Sequence, residues 1–297
     1  MKIVFMGTPD FAAIILRSLI RSGHEVAAAF TRPDKPKNRG KKILFSPVKE
    51  LAVERGIPVF QPPSLKNGDA YETLKNIDAD CIAVAAYGLM LPEEVLALPK
   101  YGCINVHASL LPEYRGAAPI NRCVMDGAKE SGVTVMRMDA GLDTGDMLLR
   151  EKTVVTDTMT AGELRDILAE MGARLLPEAL GRLENGGLPA VKQDGSLSSY
   201  AAMISKSDRK IDFSKSAREV YNHIRGLADY PCAYTFAGDK RLKVYRAVVG
   251  ETAGGFCVTC GDGEKISLTE IQAEGGRRMR TEEFLKGRGL ENIKTES

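Results

Sequence analysis

Short apolar runs alternate with amphipathic stretches over the first two thirds of the chain. Residues 2–6 and 25–30 have the composition of strands, and the helical pattern of residues 9–22 ends at Gly23, a common helix terminator. Residues 81–86 form a continuous apolar run, which is typical of a parallel strand buried on both faces. This alternation predicts a Rossmann-like, doubly wound α/β domain with a mostly parallel sheet.

Further elements continue the same alternation as far as residue 187. The predicted helices cover 47–55, 69–76, 119–125 and 160–185, and the predicted strands cover 57–60, 103–107, 133–138 and 147–155. Residues 33–45, by contrast, contain two prolines, an asparagine and a glycine. This composition predicts a mobile surface loop instead of a packed element.

The last third of the chain has a different pattern. Residues 188–205 contain four serines, together with Gln193, Asp194 and Gly195, and show little periodicity, so we interpret them as a linker. Beyond them, a predicted helix over 216–225 precedes predicted strands at 233–236, 242–249, 256–259 and 265–271. Short strands separated by glycine turns predict a small, OB-like β-barrel domain. The expected division is 1–187, 188–205 and 206–297.

The composition is that of an ordinary globular protein. The 297 residues are 44% hydrophobic and 27% charged, and no apolar run is long enough to span a bilayer. The chain opens on a strand pattern without signal-peptide features, so we expect a cytoplasmic protein without a membrane partner. The single C-x-x-C, Cys257 to Cys260, has no second pair to complete a zinc site. We therefore expect structural thiols and no metal.

Positive charge is concentrated in one segment of the chain. Residues 32–49 contain seven lysines and arginines and one acid, Asp34, whereas the net charge of the whole chain is only +2. A concentrated basic loop on a near-neutral protein favours a polyanion held at one defined place. The alternative is a solvated loop that binds nothing.

The turn after the first predicted strand bears on cofactor binding. It reads Gly7-Thr8-Pro9-Asp10, whereas a dinucleotide site requires G-x-G-x-x-G so that the backbone can approach the pyrophosphate. Only one glycine is present, and the carboxylate of Asp10 would repel phosphate at the helix start. We therefore expect no NAD cofactor.

Residues 105–146 contain the strongest candidates for chemistry. Asn105 and His107 are two positions apart in a predicted strand, so their side chains project from one face. Asp143 lies in the glycine-rich turn 139–146, and loops that follow strands commonly carry function in α/β sheets. We expect these three side chains in one pocket. The alternative is a hydrogen-bonded histidine at a strand end and a turn without function.

The same stretch resembles a known family of enzymes. The matching runs are Asn105-Val-His107, Ser109-Leu-Leu-Pro112, Tyr114-Arg-Gly116 with Pro119, and Asp139-x-Gly-Leu-Asp143-Thr-Gly-Asp146. Together, and in this order, they resemble the 10-formyltetrahydrofolate-dependent formyltransferases. Runs elsewhere resemble the branch of this family that acts on methionyl-tRNA; they include 5–11, 39–42, 46–48, 204–206 and 211–213. Residues 227–232 and the absence of tryptophan depart from the pattern of that branch.

The resemblance implies that a formyl group moves from 10-formyltetrahydrofolate to the amino group of initiator methionyl-tRNA by direct attack of the amine. It implies catalytic roles for Asn105, His107 and Asp143, without metal or NAD. The implied folate-binding residues are Ala86, Tyr87, Gly88, Leu89, Leu91, Ser109, Leu110, Leu111, Pro112 and Asp139. The implied tRNA-binding residues are Arg39, Lys41, Lys42, Arg115 and Lys206, and the C-terminal domain 206–297 is expected to bind tRNA. The chain is expected to be monomeric.

Two other functions are compatible with parts of this sequence. A formyltransferase acting on a small amine, such as glycinamide ribonucleotide or an amino sugar, would use the same chemistry without needing the basic loop or the β domain. A nucleic-acid-binding protein without catalysis would not need Asn105, His107 or Asp143, so the presence of all three argues against this function. An assay that compares the acceptors separates these functions.

Overall fold

A computed structural model of the protein describes residues 1–37, 42–66 and 68–287. The described residues form two compact units, and each unit is built from separate stretches of the chain. Unit 1 takes its residues from Met1–Arg115, Gly132–Thr153 and Arg165–Tyr200, and unit 2 from Gly116–Ser131, Val154–Leu164 and the described residues from Ala201 onward. The expected division at residues 187 and 205 stays a prediction about the limits of independent domains.

Strands and helices alternate through most of the chain. The strands are β1 Lys2–Gly7, β2 Glu25–Phe30, β3 Lys35–Lys37, β4 Lys42–Leu44, β5 Val59–Phe60, β6 Cys81–Ala85, β7 Cys103–His107, β8 Glu130–Arg137, β9 Met147–Val154, β10 Ala233–Ala237, β11 Lys240–Val249, β12 Phe256–Thr259, β13 Lys265–Ala273 and β14 Met279–Arg280. The helices are α1 Asp10–Arg21, α2 Pro47–Glu54, α3 Asp69–Ile77, α4 Glu93–Leu96, α5 Pro119–Met125, α6 Ala161–Glu184, α7 Ala217–Leu227 and α8 Thr281–Gly287. The predicted helices and strands are confirmed within a few residues at each end, whereas α4, β14 and α8 were not predicted.

Parallel strands build most of the sheet of unit 1. Its order is β5-β2-β1-β6-β7-β8-β9; each neighbouring pair from β5 to β7 is parallel, and β8 is antiparallel to β7. The chain moves from β1 to β2 on one side and to β6 on the other. The carboxyl ends of β1 and β6 therefore flank a switch point, where open α/β sheets bind ligands. The predicted α/β class with a mostly parallel sheet is confirmed.

An antiparallel sheet forms the β part of unit 2, in the order β10-β11-β13-β12 with β14 paired to β13. Helix α7 begins with a capping box, in which Ser216 accepts from the backbone of Glu219 and the Glu219 carboxylate accepts from the backbone of Ser216. Its apolar side chains Val220, Ile224 and Leu227 belong to the hydrophobic core of the sheet. The prediction of a small antiparallel β domain is confirmed.

The basic segment contains regular structure that was not predicted. Strands β3 and β4 pair in antiparallel fashion, with Lys35 opposite Leu44 and Lys37 opposite Lys42. The prediction of a loop without packed elements was therefore wrong for the described part of residues 33–45. Strands of three residues are too short to produce a recognisable hydrophobic period. Residues 38–41 lie outside the described residues.

Residues 191–200, here called the return segment, pair with earlier parts of unit 1. Met147 and Val191 exchange two backbone hydrogen bonds of 2.8 Å. The backbone nitrogen of Arg115 donates to the carbonyl of Ser199 at 2.9 Å, and that of Tyr114 donates to the Ser199 hydroxyl at 2.8 Å. Most side chains of the segment are nonetheless exposed. This part of the predicted linker is therefore held to the rest of unit 1 by hydrogen bonds and not by apolar packing.

Candidate active site

Strand β7 places Asn105 and His107 on one face of the sheet of unit 1. Asn105 lies opposite Met136 of β8 and His107 opposite Thr134, with β6 on the other side of the strand. Because β7 is hydrogen-bonded on both sides, the positions of both side chains are set by the backbone ladder. Only 8% of Asn105 and 6% of His107 is exposed. A mostly apolar strand therefore carries two nearly buried polar groups at its carboxyl end.

The side-chain amide of Asn105 makes no hydrogen bond to any part of the chain that the structure describes. Buried polar groups in proteins are almost always hydrogen-bonded, and exceptions commonly mark ligand sites. The amide nitrogen carries two N–H donors and the oxygen accepts two bonds. Asn105 is therefore available to donate to an oxygen atom of a bound ligand.

The imidazole of His107 lies between a backbone carbonyl and a carboxylate. Its Nε2 atom is 2.9 Å from the carbonyl oxygen of Tyr114, and its Nδ1 atom is 3.7 Å from Oδ2 of Asp143. A carbonyl oxygen can only accept, so Nε2 carries a proton in this arrangement. The distance to Asp143 is too long for a hydrogen bond but short enough for attraction between charges. The Asp143 carboxylate thus lies beside the ring nitrogen that is not bonded to Tyr114.

Asp143 is held in a tightly closed turn. Its φ of 53° lies in the left-handed region, which aspartate tolerates better than most residues. The Asp139 carboxylate accepts from the backbone of Gly141 at 3.1 Å and from the hydroxyl of Thr144 at 2.7 Å. A Cβ atom on Gly145 would lie 1.9 Å from the carbonyl oxygen of Arg137, so only glycine fits there. The glycines of the turn thus bring Asp143 to β7.

The turn is also bonded to the return segment through Gln193. Its side-chain nitrogen donates to the carbonyl oxygens of Asp143, at 2.8 Å, and of Gly145, at 2.7 Å. Its side-chain oxygen accepts from Nε of Arg115 at 3.0 Å and from Nη2 at 2.7 Å. Sequence reasoning missed Gln193, because it lies in a polar stretch with no periodic pattern.

The loop that follows β7 is closed by its own polar groups. The Ser109 hydroxyl donates to the carbonyl of Glu113 at 2.6 Å, and Thr134 donates to the carbonyl of Ser109 while accepting from the backbone of Leu111. The side chains of Ser109, Leu111 and Pro112 are buried, and that of Leu110 is half-buried. Ser109, Leu111 and Pro112 therefore leave little surface for a ligand, whereas Leu110 keeps part of its surface exposed.

The loop that follows β6 lies at the switch point of the sheet. Ala86 and Gly88 are exposed and have φ values of 45° and 81°, and the hydroxyl of Thr8, after β1, donates to the carbonyl of Tyr87. The side chains of Tyr87 and Leu91 belong to a hydrophobic core. Exposed backbone with unusual conformation suits close approach of a flat ligand, whereas the side chain of Tyr87 points into the protein.

Two buried polar atoms near this loop have no hydrogen-bond partner among the described residues. They are the hydroxyl oxygen of Tyr87 and Nη1 of Arg32. Burial raises the pKa of Tyr87 to about 12, and the charge of Arg32 opposes this effect. The phenol is therefore neutral, and both atoms are enclosed by the protein.

The residues assigned to tRNA binding are placed only in part. Arg39 and Lys41 lie outside the described residues, and Lys42 begins β4. Arg115 is half-buried and its guanidinium is bonded to Gln193, while Lys206 of unit 2 is exposed before a 3₁₀ turn at Ser207–Arg209. The assignment of these residues stays a prediction.

Two further properties concern metal ions and membranes. Within residues 1–37, 42–66 and 68–287, no group of three or more His, Cys, Asp or Glu side chains is arranged to hold a metal ion. Over the same ranges, each helix is too short or too polar to cross a membrane.

Acyl transfer to an amine requires a hydrogen-bond donor for an oxyanion and a group that can move a proton. The amide and the imidazole on β7 are groups of these two kinds, and comparison with known proteins points to the same chemistry. The model of the family described as "Formyl transferase" matches residues 1–180, and that described as "Formyl transferase, C-terminal domain" matches residues 203–289. The chain belongs to the formyl transferase family, and it is an enzyme of formyl-group transfer.

Relatives that match over nearly the whole chain show to which branch of this family it is most similar. A "Methionyl-tRNA formyltransferase" of Clostridium novyi (strain NT) is 47% identical over 305 residues, which cover 98% of each chain. The protein of the same name from Carboxydothermus hydrogenoformans is 48% identical over 300 residues, covering 97% of this chain and 96% of the relative. The resemblance to the methionyl-tRNA formyltransferase branch is confirmed.

More distant solved structures share the fold. The N-formyltransferase from Helicobacter canadensis, in complex with folinic acid and dTDP-3-aminofucose, has a TM-score of 0.66 at 20% identity, covering 90% of this chain and 98% of its own. HypX from Aquifex aeolicus, in complex with tetrahydrofolic acid, has a TM-score of 0.67 at 17% identity. The match covers all of this chain and 48% of the HypX chain. At this identity the likeness concerns the fold alone.

Proposed function

We propose that this enzyme transfers the formyl group of 10-formyltetrahydrofolate to the free amino group of initiator methionyl-tRNA. The observation that carries the choice of acceptor is the identity of 47% and 48%, over nearly the full length of both chains, to relatives named methionyl-tRNA formyltransferase. Both relatives also match through the C-terminal domain, because 98% and 97% of this chain is covered.

The first chemical step is attack of the neutral amine on the formyl carbon of the donor. A bond forms between the amine nitrogen and this carbon, and the carbonyl electron pair moves onto oxygen, which gives a tetrahedral oxyanion. Asn105 donates an N–H to this oxygen, because its amide is unpaired and is held rigidly on β7. A fixed donor stabilises the developing charge without having to reorganise during the reaction.

The second requirement is proton movement. The attacking amine must lose a proton after the new bond forms, and N10 of the folate must gain one as its bond to carbon breaks. In this proposal His107 accepts the first proton at Nδ1, where the Asp143 carboxylate, 3.7 Å away, stabilises the imidazolium. The Tyr114 carbonyl holds Nε2 and so orients the ring. Return of the proton to N10 releases tetrahydrofolate and the formylated amine.

The donor would bind along the exposed backbone of residues 86–91, with the loop 109–112 and Asp139 beside the reacting end. A pteridine has amide-like edges, which suit the backbone groups of such loops. HypX from Aquifex aeolicus, which shares the fold, was solved in complex with tetrahydrofolic acid.

A direct comparison of acceptors tests the proposed function. Purified protein is given 10-formyltetrahydrofolate with initiator Met-tRNA, glycinamide ribonucleotide or an amino sugar, and formation of formylated product is measured. We expect rapid formylation of Met-tRNA and none of the small amines. Faster formylation of a small amine would refute the assignment of the acceptor while leaving formyl transfer intact.

The basic segment leads to a prediction about the tRNA. We expect Arg39→Ala to lower kcat/KM for Met-tRNA far more than it weakens binding of a folate analogue, because the family resemblance implies that residues 39–42 lie near the acceptor stem. Replacing Lys41 and Lys42 is expected to flatten the dependence of log kcat/KM on log salt, by about one unit for each lost phosphate contact.

A matched control variant removes one positive charge at another position. Lys75→Ala removes an exposed cation from helix α3 of unit 1, outside the basic segment. Its salt dependence should equal that of the wild type. If the curves for the Arg39, Lys41 and Lys42 variants also superimpose on the wild type, the basic segment is a solvated surface.

A further inference from the structure

We propose that Gln193 is a positioning residue for formyl transfer, acting through Asp143. The inference rests on the proposed function, since it gives Gln193 a task within that reaction. Gln193 lies 50 residues beyond Asp143 in the chain, in a stretch that the sequence predicts to be a linker. Its side-chain hydrogen bonds are to the turn that carries the carboxylate and to Arg115.

The hydrogen-bonding capacity of the Gln193 amide is fully used. Both N–H groups donate to carbonyl oxygens of the turn, and both lone pairs of the oxygen accept from the guanidinium of Arg115. The reverse orientation of the amide would face oxygen with oxygen and N–H with N–H, so the network itself determines the orientation. Few side chains other than glutamine can make these four bonds at once.

The two carbonyls that Gln193 binds are those on which the position of Asp143 depends. One belongs to Asp143 itself, whose φ of 53° is less favourable for aspartate than an ordinary backbone conformation. The other belongs to Gly145, where the turn closes against Arg137. These two bonds, one at Asp143 and one two residues beyond it, hold the backbone of the turn in this conformation.

The return segment also supports the other side of the imidazole. Ser199 accepts from the backbone nitrogens of Tyr114 and Arg115, and the Tyr114 carbonyl is the partner of His107 Nε2. The two groups that flank the imidazole, a carbonyl and a carboxylate, are therefore both anchored to residues 191–200. Small displacements of catalytic groups cost large factors in rate, so loss of this anchor should lower kcat.

Gln193→Met keeps the length of the side chain and removes all four bonds. We expect kcat to fall about tenfold or more, with a change in KM for Met-tRNA of less than about twofold. In an Asp143→Asn background the same change should lower kcat by less than about twofold, since residues acting through one group are not additive. Gln193→Glu, which keeps an acceptor for Arg115 but loses both donated bonds, should resemble Gln193→Met.

Gln272→Met is the matched control, because Gln272 also bridges a side chain and a carbonyl, accepting from Tyr245 and donating to Gly276. It should leave kcat unchanged. The inference would be overturned if Gln193→Met lowered kcat equally in the wild-type and Asp143→Asn backgrounds. It would also be overturned if Gln193→Met did not lower kcat at all. Thermal unfolding of each variant shows whether the fold persists.

A measurement without substrate keeps this inference separate from the proposed function. Hydrogen exchange of the peptide covering residues 138–147 should be faster in Gln193→Met and Gln193→Glu than in wild type or Gln272→Met. Unchanged exchange would overturn the inference even if Met-tRNA is formylated. Absence of wild-type formylation together with faster exchange would instead refute the proposed function and retain the anchoring role.

Discussion

Replacing His107 or Asp143 by asparagine is expected to reduce kcat by about 10²–10⁴-fold and to leave the fold intact. Asparagine at position 107 cannot take up a proton, so this side chain can no longer accept the proton that the attacking amine must lose. Asparagine at position 143 keeps the shape of the side chain but loses the charge that stabilises the imidazolium 3.7 Å away. Single-turnover formylation of Met-tRNA, which reports the chemical step, is the measurement.

The chain offers close controls for both substitutions. Asp78 also has a left-handed backbone, with φ of 51°, so Asp78→Asn reproduces the conformational setting of Asp143 outside the site. His24→Asn removes a half-buried histidine beside the N-terminus. Both controls should keep wild-type rates. Rates near wild type in His107→Asn or Asp143→Asn, with an unchanged circular dichroism spectrum, would remove that residue from the proposed mechanism.

Asn105→Ala is expected to lower kcat on the order of a hundredfold or more, since one donor to an oxyanion is worth roughly 3–4 kcal/mol of barrier. Asn105→Asp should be at least as severe, because it preserves size while placing a negative charge where the oxyanion forms. If Asn105 served only to fill space, the aspartate variant would be the milder of the two. Folate-analogue binding, measured separately, distinguishes lost catalysis from lost donor affinity.

Much of the site follows from simple periodicity. The spacing of Asn105 and His107 predicts a shared face of one strand, and the glycine-rich turn after the next strand predicts a carboxylate nearby. The structure brings His107 and Asp143 together in this way. The catalytic roles of these residues stay predictions, since contact alone does not establish a role.

Other features could not be read from the sequence for identifiable physical reasons. Strands β3 and β4 have three residues each and helix α4 has four, too few to display a period. Gln193 is bonded to residues 48 and 50 positions earlier, and such long-range polar contacts leave no local pattern. The polar stretch around it was interpreted as a linker because apolar spacing reveals only elements held by apolar packing.

The late position of the return segment has a consequence for protein synthesis. The strand with Asn105 and His107 is made early, but Ser199, the partner of the Tyr114 backbone, is added 85 residues after Tyr114. A nascent chain that ends before Gln193 lacks both this partner and the Gln193 amide that is bonded to the turn of Asp143. Synthesis must therefore continue to residue 199 before all of these hydrogen bonds can form.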